Sequence, residues 1–195
     1  MRIIAGKYRG KKLFPPLSDA VRPTMDRARE AVFSIINGMI DDWSQTRFLD
    51  VFCGTGAFGL EAISRGAAEV CLLDIDPATA RKNANLFPNE QDKIKVIKAN
   101  VMSLPGNISN PFNLIFLDAP YNQGLSEIAL QTLIQTNWLS NNALIIVEVE
   151  KNEELIFPSP LAGEGRVRGT TAGEITSLQS RTYGAAKFLF FQLKT

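Results

Sequence analysis

Four consecutive residues, Asp118, Ala119, Pro120 and Tyr121, combine the groups that would hold a planar base carrying an exocyclic amine. They follow an apolar run, 112–117, that predicts a buried strand. The carboxylate and the turn carbonyls accept hydrogen bonds, the proline restricts the backbone, and the aromatic ring offers a flat face. An ordinary turn at a strand end has the same composition, so the tetrapeptide alone leaves both interpretations open.

A second pattern upstream predicts a cofactor site. Gly54, Gly56 and Gly59 have the spacing G-x-G-x-x-G, and Asp74 follows at the end of the next predicted strand. Glycines at a strand-to-helix turn let a ligand approach the backbone, and an acid at the second strand end accepts hydrogen bonds from ribose hydroxyls. This spacing is shared by dinucleotide sites and by sites for other adenosine cofactors.

The charge of Asp50, at the end of the first predicted strand, favours one of these cofactors. A carboxylate there would repel a pyrophosphate and attract the ammonium and sulfonium groups of S-adenosylmethionine. Ile75, Asn100 and Val101 complete the predicted cofactor-binding set with Asp50, the glycines and Asp74. The side-chain oxygen of Asn100 could accept a hydrogen bond from the adenine amine. Asp50 and Asn100 could each instead stabilise a neighbouring turn.

The composition excludes several kinds of chemistry. The chain has 195 residues, 45% of them hydrophobic and 21% charged, and no histidine. Ser-His-Asp and Cys-His catalysis and histidine-ligated metal sites are therefore excluded, and we expect no metal. There is no apolar stretch of membrane-spanning length and no secretory leader. With only Cys53 and Cys71 as cysteines, a reduced cytoplasmic protein is expected.

The charge is concentrated at the N-terminus. Residues 1–30 carry eight basic and three acidic side chains, whereas the whole chain has a net charge of only +1. A basic arm, residues 1–23, with interleaved aromatic and glycine residues favours contact with nucleic-acid phosphates over a merely solvated tail. The residues predicted to bind RNA are Lys7, Arg9, Lys11, Lys12 and Arg22.

Apolar segments alternate with segments of helical periodicity along the chain. Continuous apolar runs predict strands covered on both faces, and their alternation with helices predicts βαβ units and a mainly parallel sheet. The predicted strands are 48–52, 70–73, 94–97, 114–117, 144–149 and 188–193, with 175–178 as a hairpin partner of the last. The predicted helices are 25–40, 58–65, 78–86 and 125–135.

The chain length predicts a single domain, 1–195. The segment 158–172 is dense in proline and glycine and predicts a surface loop or insertion. Since no large apolar face is evident from the pattern, we expect a monomer.

These motifs together resemble a known family. The order and spacing of 50–59, Asp74 and 118–121 resemble the class I S-adenosylmethionine-dependent methyltransferases, and within them the D/N-P-P-Y/F type that methylates exocyclic amines. Further segments resemble the bacterial small-subunit ribosomal RNA guanine-N2 methyltransferases; these are 22–24, 29–35, 59–67 and 181–184.

The resemblance implies a Rossmann-like α/β fold with a mainly parallel seven-stranded sheet, one antiparallel strand and helices on both faces. It implies methyl transfer from S-adenosylmethionine to the N2 of a guanine in 16S ribosomal RNA, with S-adenosylhomocysteine as product. The RNA partner would be 16S rRNA or a small-subunit assembly particle. Asp118 and the carbonyl of Ala119 would accept the amine hydrogens, and Tyr121 would stack on an extruded base.

Two residues depart from the family pattern. Ala119 replaces the first proline of D-P-P-Y, which preserves the carbonyl but relaxes the backbone. Asn100 replaces the usual acid, which weakens one hydrogen bond to adenine.

Three alternatives remain open at the level of sequence. They are an N6-adenine DNA methyltransferase, a non-catalytic RNA module that binds an adenosine cofactor, and an NAD-dependent oxidoreductase. The charge of Asp50 and the absence of histidine disfavour the last.

Overall fold

A computed structural model describes residues 1–16, 23–106, 108–155 and 174–194. The chain divides into two compact units, Met1–Ala99 and Asn100–Thr195. The predicted single domain therefore stays a prediction, and the predicted insertion 158–172 lies outside the described residues. No helix in the described part of the chain has the length and apolarity that crossing a membrane requires.

The first unit contains three parallel strands in the order β3-β2-β1. Its elements are α1 (Pro23–Asn37), β1 (Arg47–Val51), α2 (Ala57–Arg65), β2 (Glu69–Asp74), α3 (Ala78–Ala84) and β3 (Ile94–Lys98). Leu49 of β1 pairs with Cys71 of β2, and Cys71 pairs with Lys95 of β3. Four of the five residues of β1 are buried, as expected for a strand covered on both faces. This places the carboxyl ends of β1 and β2, at Val51 and Asp74, side by side.

The second unit contains parallel and antiparallel strands. Its elements are β4 (Phe112–Leu117), α4 (Leu125–Gln135), β5 (Leu139–Glu150), β6 (Glu174–Tyr183) and β7 (Ala186–Lys194). Strand β4 runs parallel to β5, and β7 runs antiparallel to both β5 and β6. Strand β7 is therefore the one that runs against the others of this unit.

The predicted fold class is confirmed. Within the described residues seven strands alternate with helices, the pairing is mainly parallel, and one strand is antiparallel. The predicted hairpin of the last two strands is also present. The largest differences are at the end of β6, which continues to Tyr183 rather than ending at 178, and at the start of β5, which begins at Leu139 rather than at 144. Polar residues 140–142 hide this start in the sequence, and the register with β4 shifts there, between Phe112 and Leu114.

Candidate active site

The turn between β1 and α2 has a backbone that requires glycine. Gly54 has φ +52° and Gly56 has φ +74°, and Phe52 also adopts a left-handed conformation, with φ +59°. A Cβ atom at Gly56 would approach the Leu72 Cδ1 atom to 2.8 Å, whereas a Cβ atom at Gly54 would meet no atom within 4 Å. Gly56 is thus needed for packing against β2, and Gly54 borders open space that a ligand can occupy. Bulky residues such as Phe52 rarely adopt positive φ, and such strain is concentrated at functional sites.

Asp74 holds this turn through its carboxylate. Its Oδ2 atom accepts a hydrogen bond from the Gly54 N–H at 2.8 Å, and its Oδ1 atom accepts one from the Asp76 N–H at 2.9 Å. An ionised carboxylate can accept about four hydrogen bonds, so about two remain available for hydroxyl groups. The adjacent Ile75 is 69% exposed, so its side chain is accessible to a ligand. The surroundings of Gly54 and Asp74 therefore fit the ribose of an adenosine cofactor.

The predicted cofactor residue Asp50 is the penultimate residue of β1, at the strand end where the sequence placed it. It is 2% exposed, and its Oδ2 atom accepts a hydrogen bond from the Gly59 N–H at 2.9 Å. Burial raises the pKa of this carboxyl to about 8. The structure thus assigns Asp50 the turn-stabilising role that the sequence left open as the alternative. At neutral pH the protein without ligand does not present the full charge on which the choice of cofactor was based. A cofactor contact by Asp50 stays a prediction.

Asn100 and Val101, at the start of the second unit, have different surroundings. Asn100 is exposed, and its Oδ1 atom accepts a hydrogen bond from the Met102 N–H at 3.0 Å. This is the turn role that the sequence also allowed. Val101 is 2% exposed, so its side chain belongs to the core and only its backbone could meet a ligand. Cofactor contacts by both residues stay predictions.

The predicted catalytic residues form the loop that follows β4. Asp118 is half-buried, Ala119 is only 3% exposed, and Pro120 is exposed. Tyr121 exposes 37% of its surface. The structure therefore places the four residues together, with part of the aromatic ring open to solvent.

Three glutamates hold this loop, and we call Glu148, Glu150 and Glu153 the acidic clamp. The Tyr121 hydroxyl donates to Glu148 Oε1 at 2.8 Å. Asn122 donates its backbone N–H to Glu153 Oε1 at 2.9 Å and its side-chain Nδ2–H to Glu150 Oε2 at 2.6 Å. Burial and the neighbouring Glu148 raise the pKa of Tyr121, and burial raises the pKa of Glu148. Tyr121 is therefore a neutral hydrogen-bond donor over the physiological range.

The acidic clamp was not predicted from the sequence. Parallel pairing of Leu117 with Val147 brings the end of β4 level with Glu148. A signal was present, because Glu148 and Glu150 are two acids at alternate positions in the otherwise apolar run 143–150. Which loop they contact depends on the pairing of β4 with β5.

The described part of the basic arm, residues 1–16, is docked on the first unit. Lys7 Nζ lies 2.6 Å from Glu90 Oε1, and Lys11 Nζ donates to the Leu86 carbonyl at 2.8 Å. Hydrogen bonds from Lys7 and Lys93 lower the pKa of Glu90 to about 2. These lysines therefore have structural partners that the sequence did not reveal.

The other predicted RNA-binding residues differ in their surroundings. Arg9 and Lys12 are exposed. Arg22 lies outside the described residues. Binding of RNA by all five predicted residues stays a prediction.

Buried polar side chains of α2 and α3 also attach the arm. Glu61 of α2, fully buried, accepts the backbone N–H groups of Ile4 and Ala5 at 2.7 and 3.0 Å. Asn83 of α3, also fully buried, accepts the Phe14 N–H at 2.7 Å and donates to the Thr55 carbonyl at 2.9 Å. Asn83 thus connects the arm to the glycine turn, a connection that local sequence could not indicate.

A metal-binding cluster would need several ligating side chains in one place. The described residues contain no group of three or more His, Cys, Asp or Glu side chains that could hold a metal ion.

Comparison with known proteins identifies the family. Residues 1–192 match the family model described as conserved hypothetical protein 95. The chain is 38% identical over 176 residues to the ribosomal RNA small subunit methyltransferase D of Escherichia coli (strain K12), covering 90% of this chain and 86% of the relative. The solved structure of the putative methyltransferase yhhF from Escherichia coli is similar with a TM-score of 0.76 and 30% identity, covering 100% of this chain and 98% of that one.

A more distant structure supports the fold class alone. The N-methyltransferase NodS of Bradyrhizobium japonicum has a TM-score of 0.56 at 11% identity, over 90% of this chain and 99% of that one. The arrangement is the class I methyltransferase fold. The chain belongs to the conserved hypothetical protein 95 family and, within it, to the family of the ribosomal RNA small subunit methyltransferase D proteins.

Proposed function

We propose that this protein transfers a methyl group from S-adenosylmethionine to the exocyclic N2 of a guanine in 16S ribosomal RNA. The ribosomal RNA substrate is supported by the name of the 38% identical relative. The choice of the guanine amine is supported by the loop 118–121 and by the resemblance of the flanking segments. Because the substrate is ribosomal RNA or a small-subunit particle, we also propose a cytoplasmic location, with a monomer as the expected state.

The cofactor would be held by the turn at Gly54 and Gly56 and by Asp74, with Ile75 against the adenine. Asp74 retains acceptor capacity for the ribose hydroxyls, and the open space beside Gly54 admits a ligand. Residues 50–59 contain no basic side chain that would neutralise a pyrophosphate. When bound, S-adenosylmethionine supplies an electrophilic methyl group.

The loop after β4 would bind and orient the amine. The lone pair of an exocyclic amine is conjugated with its ring, so the nitrogen is a poor nucleophile. Asp118 and the Ala119 carbonyl would accept its two N–H groups and turn the lone pair outward. As the nitrogen becomes positively charged, Asp118 would stabilise that charge and accept the departing proton. Tyr121 would stack on the base and restrict its orientation.

The observation that carries this proposal is the preorganised loop. The Tyr121 hydroxyl and the backbone and side-chain N–H groups of Asn122 are held by the acidic clamp at 2.6–2.9 Å, through contacts within the protein itself. A group that must orient a base benefits when its own conformation is fixed before binding.

The test compares Asp118→Ala and Asp118→Asn with the wild type. We expect methyl incorporation into 16S rRNA, followed by mass mapping of nucleotides, to fall at least 100-fold in Asp118→Ala. The cofactor dissociation constant should change less than threefold, because Asp118 is not assigned to the cofactor. Asp118→Asn should retain partial activity, since the amide oxygen still accepts one hydrogen bond.

Two outcomes would contradict the proposal. Near-normal single-turnover methylation by Asp118→Ala would remove the assigned role of the loop. Methylation of DNA adenine instead of ribosomal RNA by the wild type would replace guanine N2 with adenine N6.

A further inference from the structure

The first unit contains a cavity of about 440 Å³ between the arm and α1. Arg2 and Arg9 of the arm and Arg27 of α1 line it, and the acids that line it are Asp26 and Glu30. The volume lies within the range of about 300–1,000 Å³ that is typical of ligand sites, and is sufficient for a nucleotide-sized group. We call this cavity the arginine cleft.

The charges around the cleft favour an anion. Asp26 is already paired with the buried Arg29, whose Nη2 atom lies 3.0 Å from Asp26 Oδ1. Arg2, Arg9 and Arg27 are exposed, and their guanidinium groups make no hydrogen bond or ion pair within the parts of the chain that the structure describes. Three arginines whose guanidinium groups have no partner among the described residues thus line one cavity, together with Glu30 and with Asp26, which is already paired with Arg29.

The walls of the cleft are held in place by hydrogen bonds to backbone groups of the arm. Arg29 Nη2 donates to the Arg2 carbonyl at 2.5 Å, which ties the arm to α1. Within the arm, Gly10 N–H donates to the Ile3 carbonyl and Ile3 N–H to the Lys11 carbonyl, both at 2.9 Å. These contacts close the arm into a hairpin that carries Arg2 and Arg9 on one wall of the cavity.

We propose that the arginine cleft binds backbone phosphates of the RNA substrate, an inference that rests on the proposed function. Arginine presents planar paired donors that match phosphate oxygens. The arm is thereby divided into two sets. Lys7 and Lys11 attach it to Glu90 and Leu86, whereas Arg2, Arg9 and Arg27 contact RNA.

The experiment measures the salt dependence of binding to a 16S rRNA fragment. In the variant R2Q/R9Q/R27Q, we expect the slope of log K against log salt to decrease by about two to three, because each phosphate contact contributes about 0.7–0.9. If affinities at about 1 M salt are equal, the affinity at about 0.1 M salt should fall about 100- to 500-fold. Cofactor affinity should be unchanged, which shows that the variant is folded.

Two control variants separate this site from general effects of charge. The variant R81Q/K82Q/K98Q removes three exposed cations elsewhere in the same unit, and its slope should remain within about one of the wild type. The variant K7Q/K11Q should lower the melting temperature, because both lysines attach the arm to the first unit. A mononucleotide should show no saturable binding at millimolar concentration, since several contacts along a strand are needed.

A wild-type slope in R2Q/R9Q/R27Q would overturn the inference, as would an equal loss of slope in R81Q/K82Q/K98Q. Saturable mononucleotide binding that R2Q/R9Q/R27Q abolishes, with RNA binding intact, would assign the cleft to a free nucleotide instead. If the proposed function is wrong, the wild type itself will methylate no ribosomal RNA. If only this inference is wrong, the wild type will methylate ribosomal RNA, and R2Q/R9Q/R27Q will bind RNA with the same salt dependence as the wild type.

Discussion

Substituting Asp50 by Asn tests whether burial keeps this carboxyl protonated. Its folded-state pKa of about 8 lies above the ordinary value of 3.8, so the folded protein retains a proton that the unfolded chain has released. The stabilising contribution of the group is therefore complete below pH 3.8 and is lost progressively as the pH rises toward 8. Between these limits the free energy of unfolding should fall by about 1.4 kcal/mol per pH unit.

The Asp50→Asn protein lacks this titration but keeps an oxygen that can accept from the Gly59 N–H. From pH 5 to pH 7, the free energy of unfolding of Asp50→Asn should therefore rise relative to the wild type by about 2.7 kcal/mol. Urea denaturation of both proteins at each pH measures this change. Asp92→Asn, at an exposed position, serves as the control for the removal of a surface carboxylate.

A difference between Asp50→Asn and the wild type that stays constant from pH 5 to pH 7 would refute the reasoning. Such a constant difference would mean that the Asp50 carboxyl is ionised in the folded protein. An ionised carboxylate is what an attraction to the cofactor ammonium group would require.

Two further substitutions separate cofactor binding from catalysis. Asp74→Ala removes the acceptor of the Gly54 and Asp76 N–H groups and the carboxylate proposed to accept the ribose hydroxyls. A hydrogen bond to a charged group contributes about 1.5–3 kcal/mol, so the loss of two such bonds to the ribose should weaken cofactor binding by about 100-fold or more in titration calorimetry. Unaltered affinity would contradict the role of Asp74. Tyr121→Phe removes the hydroxyl that donates to Glu148, and kcat should fall roughly tenfold in a methylation assay while the cofactor dissociation constant stays the same. A weakened cofactor affinity with unchanged kcat would contradict a positioning role for Tyr121.

Much of the fold was predictable because its signals are local. Helix α4, Leu125–Gln135, has the predicted bounds, and α2 differs from the prediction by one residue. Strand ends were predicted less well where polar residues continue a strand, as at the start of β5, because backbone pairing does not require apolar side chains.

The candidate site was predictable to the extent that it follows strand ends. Asp74 and the loop 118–121 lie where the pattern placed them, at the ends of β2 and β4. The state of Asp50 was not predictable, because a pKa depends on the burial that neighbouring strands impose. The partners of Lys7 and Lys11 were hidden for a similar reason, since Glu90 and Leu86 are far away in sequence.

The sequence by itself determined the order of strands and helices, the glycine turn, and the acid-small-Pro-aromatic loop, since each depends on neighbouring residues and their spacing. Only the tertiary structure decided that the acidic clamp holds Tyr121 and Asn122, and that the arm is docked with its arginines around a cavity. These contacts join residues that are distant in sequence. They form because strand pairing and helix packing bring such residues within hydrogen-bond distance, and no local pattern specifies which ones will meet.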